Sequence, residues 1–347
     1  AVVSANPHTV VVLLCGSAVE CPWADQVKAV LYMGLPGQAG GEAIAELLYG
    51  RVNPSGKLAE SWPFTYGDVP SSEIYGKTAD ALYQEGIYVG YRYYDKAGVP
   101  VRWPFGYGLS YTEFSYVDLT VNGDTVSVTV QNTGKCAGAE VVQLYIGAPQ
   151  DGLHRPLREL KGFQKVFLQP GESRNVTFSL TDRSFAVWQD GWKVPAGTYA
   201  VCVGGLTASI EKHGETLPIP SWQGGSWYAR CTGKPNHADW EAMLGRKYTP
   251  PVLKKGSFTM DNTVMEMKDY SLIMKIMFKA VEATVAKGYG GKKDYENPNF
   301  RMQMASSAGA PIRSMMISGG MKGGVLPGML EMANGHFFRG IRKMIKG

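Results

Sequence analysis

The sequence has few of the features that mark membrane proteins, disulfide frameworks and metal sites. No apolar run approaches the roughly 18 residues that a membrane span needs. The five cysteines are odd in number and widely scattered, which argues against a disulfide framework or a zinc site and favours reduced thiols in a cytoplasm. The five histidines are isolated from one another, so we expect no metal site and no cofactor.

A large surplus of one charge is also missing. Lys and Arg number 35 against 30 Asp and Glu, and no long basic run occurs. We therefore expect no nucleic-acid partner. The lack of a membrane-spanning run likewise predicts no membrane partner. The opening AVVSANPHTVVVLL lacks the basic start of a signal peptide, which favours a cytoplasmic protein. Because the chain begins without Met, an upstream segment could have carried a signal, and secretion stays open.

The N-terminal third has the pattern of an α/β layer. A β-branched run at 9–16 predicts a strand buried on both faces, as in a parallel sheet. A second run at 29–33 leads through a Gly-rich loop to a predicted helix at 42–50, and 57–63 predicts an edge strand closed by proline. About three strands are fewer than the usual sheet of about five or six. We therefore expect only part of an α/β domain.

Further along the chain the patterns change twice. From 113 to 206, apolar and polar residues alternate between closely spaced turns, which predicts a β-sandwich. Residues 207–250 are rich in Pro, Gly and Trp and predict an irregular connection. Beyond residue 240 lie 14 of the 15 methionines. Their spacing predicts one amphipathic helix over 264–287. A second helix is predicted from about 326 to the end, where Arg339, Arg342, Lys343 and Lys346 lie near the negative pole of its dipole.

The predicted fold class is therefore α/β plus all-β. We expect a partial α/β-sandwich domain at 1–112 with a long irregular loop at 64–112, a β-sandwich at 113–206, an irregular linker at 207–250 and a helical, Met-rich C-terminal extension at 251–347.

Candidate catalytic groups are few. Glu42 and Glu46 are one helical turn apart, and glycoside hydrolysis requires paired carboxylates, but a solvated helix face explains this pair better. Glu85, Arg92 and Asp95 stand in a dense polar and aromatic segment whose rings could stack on sugars. Anchoring of an irregular loop explains that segment better. No residue of this chain is predicted to be catalytic.

Several segments together resemble glycoside hydrolase family 3. They are NPHTVVVL at 6–13, LPGQAGG at 35–41, YGRVNPSGKL at 49–58, EGIYVGYRYYD at 85–95 and PFGYGLSYTEF at 104–114. The sandwich resembles that family's fibronectin type III-like domain through NTG at 132–134, AGAEVVQLY at 137–145, RELKGF at 158–163 and PAGTY at 195–199. The tail is similar to a C-terminal extension of some bacterial members.

The resemblance implies a retaining, exo-acting β-glycosidase, with β-glucosidase activity on a β-linked gluco-oligosaccharide or β-glucoside as the leading expectation. In that family a (β/α)₈ barrel supplies the Asp nucleophile, and a Glu acid/base comes from a segment upstream of the strand that 9–14 resembles. Neither carboxylate can be matched here, so the chain alone is expected to be inactive. We expect a (β/α)₈-barrel chain or N-terminal fragment to complete the enzyme, with homo-oligomerisation left open.

Three residues are the candidates for approaching substrate. Trp23 follows the first strand, with core packing as the alternative, and His154 and Arg155 stand in a sandwich loop. Glucose and xylose specificity are both left open. The alternative function, from another class, is a non-catalytic module that binds carbohydrate or scaffolds an assembly.

Overall fold

The computed structural model describes residues 1–76, 80–250, 252–318 and 323–346. The chain forms two compact units, Ala1–Tyr248 and Thr249–Gly347. Its elements confirm the predicted fold class, since an α/β portion is followed by a β-sandwich and then by helices. The exact boundaries between the predicted domains stay predictions.

The first portion combines short strands with three helices. Its elements are α1 Val2–Ala5, β1 Val10–Leu13, β2 Ala29–Tyr32, α2 Gly40–Leu48, β3 Trp62–Pro63, α3 Tyr91–Ala97 and β4 Val101–Trp103. Strands β1 and β2 pair in parallel, and β3 and β4 pair antiparallel. Of the predicted irregular loop at 64–112, residues 77–79 lie outside the described residues, and the rest contains α3 and β4. The predicted edge strand at 57–63 is shortened to β3.

Strand β1 was predicted to be buried on both faces, and this is corrected. Val10 is 45% exposed, and the other three residues of β1 are only partly buried. In the described part of the chain β1 has one strand neighbour, β2, so its apolar side chains are covered incompletely. The β-branched run did predict the strand and its parallel pairing.

The sandwich is built from two antiparallel sheets. Its strands are β5 Phe114–Asn122, β6 Thr125–Asn132, β7 Gly138–Gly147, β8 Arg158–Leu168, β9 Ser173–Ser179, β10 Val187–Trp188, β11 Trp192–Lys193, β12 Gly197–Val203 and β13 Leu206–Lys212. One sheet has the order β5-β6-β9, the other β13-β12-β7-β8, and β10–β11 is a separate hairpin. Alternate residues such as Val126, Val128 and Leu144 are buried between the sheets, as the period-2 pattern predicts.

The segment 207–250 is more ordered than predicted. It contains most of β13, which completes a sandwich sheet, and the helices α4 Trp227–Arg230 and α5 His237–Leu244. The side chain of Asn236 caps α5 by accepting a hydrogen bond from the backbone N–H of Asp239. The prediction of an irregular connection is corrected because Trp227 and Trp240 of this segment are buried and Trp222 packs against the same cluster as Trp227.

The C-terminal unit is helical, as predicted, but its helices are shorter and more numerous. They are α6 Val264–Met267, α7 Leu272–Lys287, α8 Pro298–Ser307, α9 Ile312–Ser318, α10 Val325–Ala333 and α11 Phe337–Lys346. The two long predicted helices are each divided in two. Met267, Met274 and Met304 are at most 1% exposed in its core, so these methionines act in packing. No helix among the described residues is both long and apolar enough to traverse a bilayer.

Candidate functional site

Trp23 lies in the loop that follows the carboxyl end of β1. In open α/β sheets this is the edge at which ligands usually bind. The residue is half-buried, and its carbonyl accepts a hydrogen bond from the N–H of Gln26. This bond closes a short 3₁₀ turn at Ala24–Gln26. The neighbouring Asp25 carboxylate accepts a hydrogen bond from Arg102 at 2.9 Å, which ties this loop to β4. The loop therefore has a defined conformation with an indole at its surface.

His154 is inserted among three aromatic rings that come from two distant segments. Its ring meets Tyr88, Trp222 and Tyr228 edge to face, with centroid distances of 5.3, 4.9 and 5.8 Å. Nδ1 is buried and has no hydrogen-bond partner among the described residues. Burial, helped by the charge of Lys96, lowers the pKa of His154 to about 4. At neutral pH the imidazole is therefore uncharged.

Arg155 points into the sandwich instead. Its Nη1 donates to the Tyr199 hydroxyl at 3.0 Å, and its Nη2 donates to the carboxylate of Asp151. The guanidinium also lies 5.3 Å from the centroid of the Tyr199 ring. Because the side chain is 92% buried and already bonded on both terminal nitrogens, its contacts are those of a structural anchor.

A polar cavity adjoins this anchor. It has a volume of about 170 Å³ and is lined by loop 148–157 together with Lys96 of α3. Asp151 and Arg155 contribute the other charges of its wall. The cavity can accommodate water or a small polar ligand. The cavity lies beside Arg155. Between the described residues, no hydrogen bond or ring contact joins Trp23 to His154 or to Arg155, so the three candidates do not form one site.

Three of the four carboxylates that the sequence singled out are engaged in ion pairs or exposed. Glu46 pairs with Arg51 at 2.9 Å, and Glu42 is exposed. Asp95 pairs with Arg158 at 2.7 Å. These contacts fit a solvated helix face for Glu42 and Glu46 and an anchored loop for Asp95.

The polar segment of α3 fastens the α/β portion to strand β8. Arg92 bonds Glu159 at 2.9 Å, and the Tyr91 hydroxyl accepts a hydrogen bond from the N–H of Leu160 at 2.9 Å. Glu85 is 9% exposed, and its Oε2 has no partner among the described residues. Arg92 and Asp95 are thus interface residues.

Sequence reasoning missed Trp227 and Tyr228 as core residues, and it missed Trp222 as a partly buried residue that packs against them. Trp227 and Tyr228 are 6% and 0% exposed, and the Tyr228 hydroxyl donates to the carbonyl of Gln84 at 2.6 Å. The available signal was the concentration of tryptophan after residue 220, since such large apolar side chains are seldom left in an irregular surface segment.

Together these features define a class of protein: an α/β portion joined through polar pairs to a fibronectin type III-like sandwich. Residues 1–91 match the model of the glycosyl hydrolase family 3 C-terminal domain, and residues 140–207 match that of the fibronectin type III-like domain. The predicted resemblance to glycoside hydrolase family 3 is thereby confirmed for this portion of the chain.

Individual relatives agree with this assignment. Thermostable beta-glucosidase B of Acetivibrio thermocellus is 47% identical over 222 residues, which cover 60% of this chain and 29% of that protein. The exo-alpha-(1->6)-L-arabinopyranosidase of Bifidobacterium breve is 43% identical over 247 residues, covering 66% and 33%. The chain therefore spans about a third of the length of the curated relatives that it matches.

Solved structures show the same partial coverage. The family 3 beta-glucosidase of Bifidobacterium adolescentis is 40% identical and superimposes with a TM-score of 0.58, covering 64% of this chain and 36% of that one. Beta-glucosidase 3B of Thermotoga neapolitana, solved with glucose, is 43% identical with a TM-score of 0.56, covering 58% and 31%.

Proposed function

We propose that this chain is the C-terminal part of a retaining, exo-acting β-glycosidase that hydrolyses terminal β-D-glucosyl residues. The observation that carries the proposal is the 47% identity over 222 residues to a relative named as a beta-glucosidase. A relative named as an arabinopyranosidase is 43% identical, so the choice of β-glucosides as substrates is the finer part of the proposal.

In this proposal the nucleophile and the acid/base lie outside the chain, and the chain alone is inactive. A retaining glycosidase needs two carboxyl groups about 5 Å apart at one glycosidic bond. The candidate acids of this chain have other contacts, for Glu46 and Asp95 are held in ion pairs with arginines. A (β/α)₈-barrel chain or N-terminal fragment would supply the nucleophile, and the segment upstream of the strand that 9–14 resembles would supply the acid/base.

Substrate contacts from this chain would then be secondary. Trp23 is the best placed of the three candidates, because its indole is half-buried in a loop at the carboxyl edge of β1. The contacts of His154 and Arg155 favour packing and anchoring, and a substrate role for Arg155 would act through the cavity beside it. We also propose a cytoplasmic location, which the five free cysteines support.

The test is a complementation assay with an aryl β-glucoside. The purified chain is measured alone and after mixing with a barrel-bearing N-terminal fragment from a family 3 beta-glucosidase. We expect no turnover from either part and turnover from the pair. Intact-mass analysis of the natural sample should also find the barrel, in a second polypeptide or in a longer chain. A pair that binds tightly yet hydrolyses no β-glycoside would overturn the proposal.

A non-catalytic carbohydrate-binding role is the second candidate, and one observation favours it. Trp188 and Trp192 face each other across the β10–β11 hairpin with their rings 5.4 Å apart, and both are more than half exposed. Exposed indoles can stack on sugar rings. Affinity electrophoresis in soluble β-glucan, with Trp188→Ser beside wild type, distinguishes this role, since only a binding module should be retarded without the barrel.

A further inference from the structure

The last helix, α11, leaves unusually large apolar side chains uncovered. Phe338 is 86% exposed, Ile345 80% and Phe337 54%, and Ile341 is exposed as well. Single apolar residues on a surface are ordinary, but four on one helix of ten residues form a patch. Such a patch indicates a surface that is covered in the functioning molecule.

The helix divides into three faces. With a turn of about 100° per residue, the four apolar side chains fall within one arc of about 100°. Gly340 and Met344 lie on a second face, where Gly340 meets α10 closely enough to exclude a side chain. The third face is basic, and its residues are Arg339, Arg342, Lys343 and Lys346. One face therefore holds the helix in place, while the apolar and basic arcs stand side by side.

The basic arc is only partly neutralised. Lys343 bonds Glu331 at 2.6 Å, and Arg339 approaches the same carboxylate at 3.8 Å. Arg342 and Lys346 have no ion-pair partner among the described residues and are exposed. Over 249–347 the sequence contains 15 Lys and Arg against 7 Asp and Glu, a surplus of eight positive charges. This charge opposes self-association through the helix and attracts an anionic surface.

We propose that α11 docks onto an anionic lipid surface. An interfacial helix buries its apolar arc at the boundary of headgroups and acyl chains and places its cations among anionic headgroups. A lipid interface needs no shape complementarity, only the adjacent apolar and basic arcs that this helix presents. The absence of a membrane-spanning run, from which we expected no membrane partner, does not bear on a helix that lies along the surface.

The test measures sedimentation of the full chain with lipid vesicles. We expect binding to vesicles that contain about 30% phosphatidylglycerol, weak binding to phosphatidylcholine alone, and loss of binding in high salt. Phe338→Ser with Ile345→Ser should lower the partition coefficient at least about tenfold, and Arg342→Ser with Lys346→Ser should lower it on the anionic vesicles.

A matched control removes another exposed phenylalanine and lysine, from the sandwich. Phe163 is 67% exposed and Lys165 is exposed, so Phe163→Ser with Lys165→Ser should leave vesicle binding unchanged. Circular dichroism and a thermal melt verify that all variants fold. The proposal is overturned if the chain does not bind anionic vesicles at low salt, or if the sandwich variant loses as much binding as the α11 variants. It also fails if the Phe338 and Ile345 changes abolish self-association and leave lipid binding intact.

Discussion

His154 shows how an environment built by distant segments controls one residue. Three aromatic rings surround the imidazole, and no described group bonds its buried Nδ1. The protonated ring would therefore be a poorly solvated cation with Lys96 nearby, which is why its pKa falls to about 4. The sequence could place this histidine in a sandwich loop, but it could not predict the burial, because the rings come from positions 88, 222 and 228.

This environment predicts a pH dependence of stability. An unfolded chain protonates His154 near 6.5, whereas the folded chain does so only near 4. The unfolded state thus binds more protons between these two pH values. The contribution of His154 to the free energy of unfolding is therefore at its maximum above pH 6.5 and falls as the pH drops toward 4. The loss should reach about 3 kcal/mol, since each pKa unit corresponds to about 1.4 kcal/mol.

The measurement is urea denaturation from pH 4 to 8, with His154→Phe as the variant. Phenylalanine keeps the ring contacts and cannot be protonated, so the variant should have a flatter pH profile than wild type. His213 is exposed, and His213→Phe is the matched control that should retain the wild-type slope. Equal slopes for wild type and His154→Phe would show that His154 does not cause the effect.

At the level of elements, the helical tail shows what a periodic pattern can predict and where it fails. The methionine spacing located the apolar faces correctly, yet the predicted helix at 264–287 is interrupted between α6 and α7. Asp269 and Ser271 stand at the break, and both types favour helix caps and turns over helix interiors. In the second predicted helix, Gly335 adopts a φ of +97° and separates α10 from α11. These local signals were present in the sequence but weaker than the periodicity.

The contact between α10 and α11 depends on two glycines. A Cβ atom at Gly340 would lie 2.5 Å from the carbonyl oxygen of Gly328 and 2.3 Å from Cγ of Met332. Only a hydrogen atom fits there, so the backbones of the two helices approach closely. The sequence shows the glycines, but their pairing across the helices follows from the turn at 334–336.

Gly340→Ala should therefore destabilise the C-terminal unit by about 1 to 3 kcal/mol, the usual cost of overpacking a close contact. Gly288→Ala is the matched control in the same unit, because its Cβ would meet nothing closer than 3.4 Å. Thermal unfolding followed by circular dichroism gives both values. If the two variants melt together, the close approach of α10 and α11 does not contribute to stability.

Across the larger unit, the motif residues that resemble the family join its two portions. Asn53 donates from Nδ2 to the carbonyl of Ala137 at 3.0 Å. Its Oδ1 accepts from the Ser110 hydroxyl at 2.9 Å and from the N–H of Tyr111 at 2.8 Å. The sequence related these segments only by resemblance, because hydrogen bonds between residues more than 50 positions apart leave no periodic pattern.

Lys57 adds a second tie between the same portions. Its Nζ donates to the carbonyl of Gly108 at 2.8 Å and pairs with Glu140 of β7 at 3.1 Å. Both side chains are at least 85% buried, and Glu140 also accepts from the Tyr116 hydroxyl at 3.2 Å. A buried pair of this kind fixes geometry more than it adds stability, so Asn53 is the better residue for a stability test.

Asn53→Ala should cost about 2 to 3 kcal/mol in the free energy of unfolding, because it leaves one carbonyl, one hydroxyl and one N–H without their partner. Asn53→Asp keeps the acceptor oxygen but turns a carboxylate oxygen toward the carbonyl of Ala137, so it should also destabilise the protein. Asn175→Ala, which removes a side chain that bonds exposed hydroxyls on β6 and β9, is the control and should cost less than about 0.5 kcal/mol. Urea denaturation ranks the three variants. Since Asn53 joins the α/β portion to the sandwich, a cost above that of the control for both Asn53 variants would show that the association of these two portions contributes directly to folding. An Asn53→Ala value equal to the control would show that it does not.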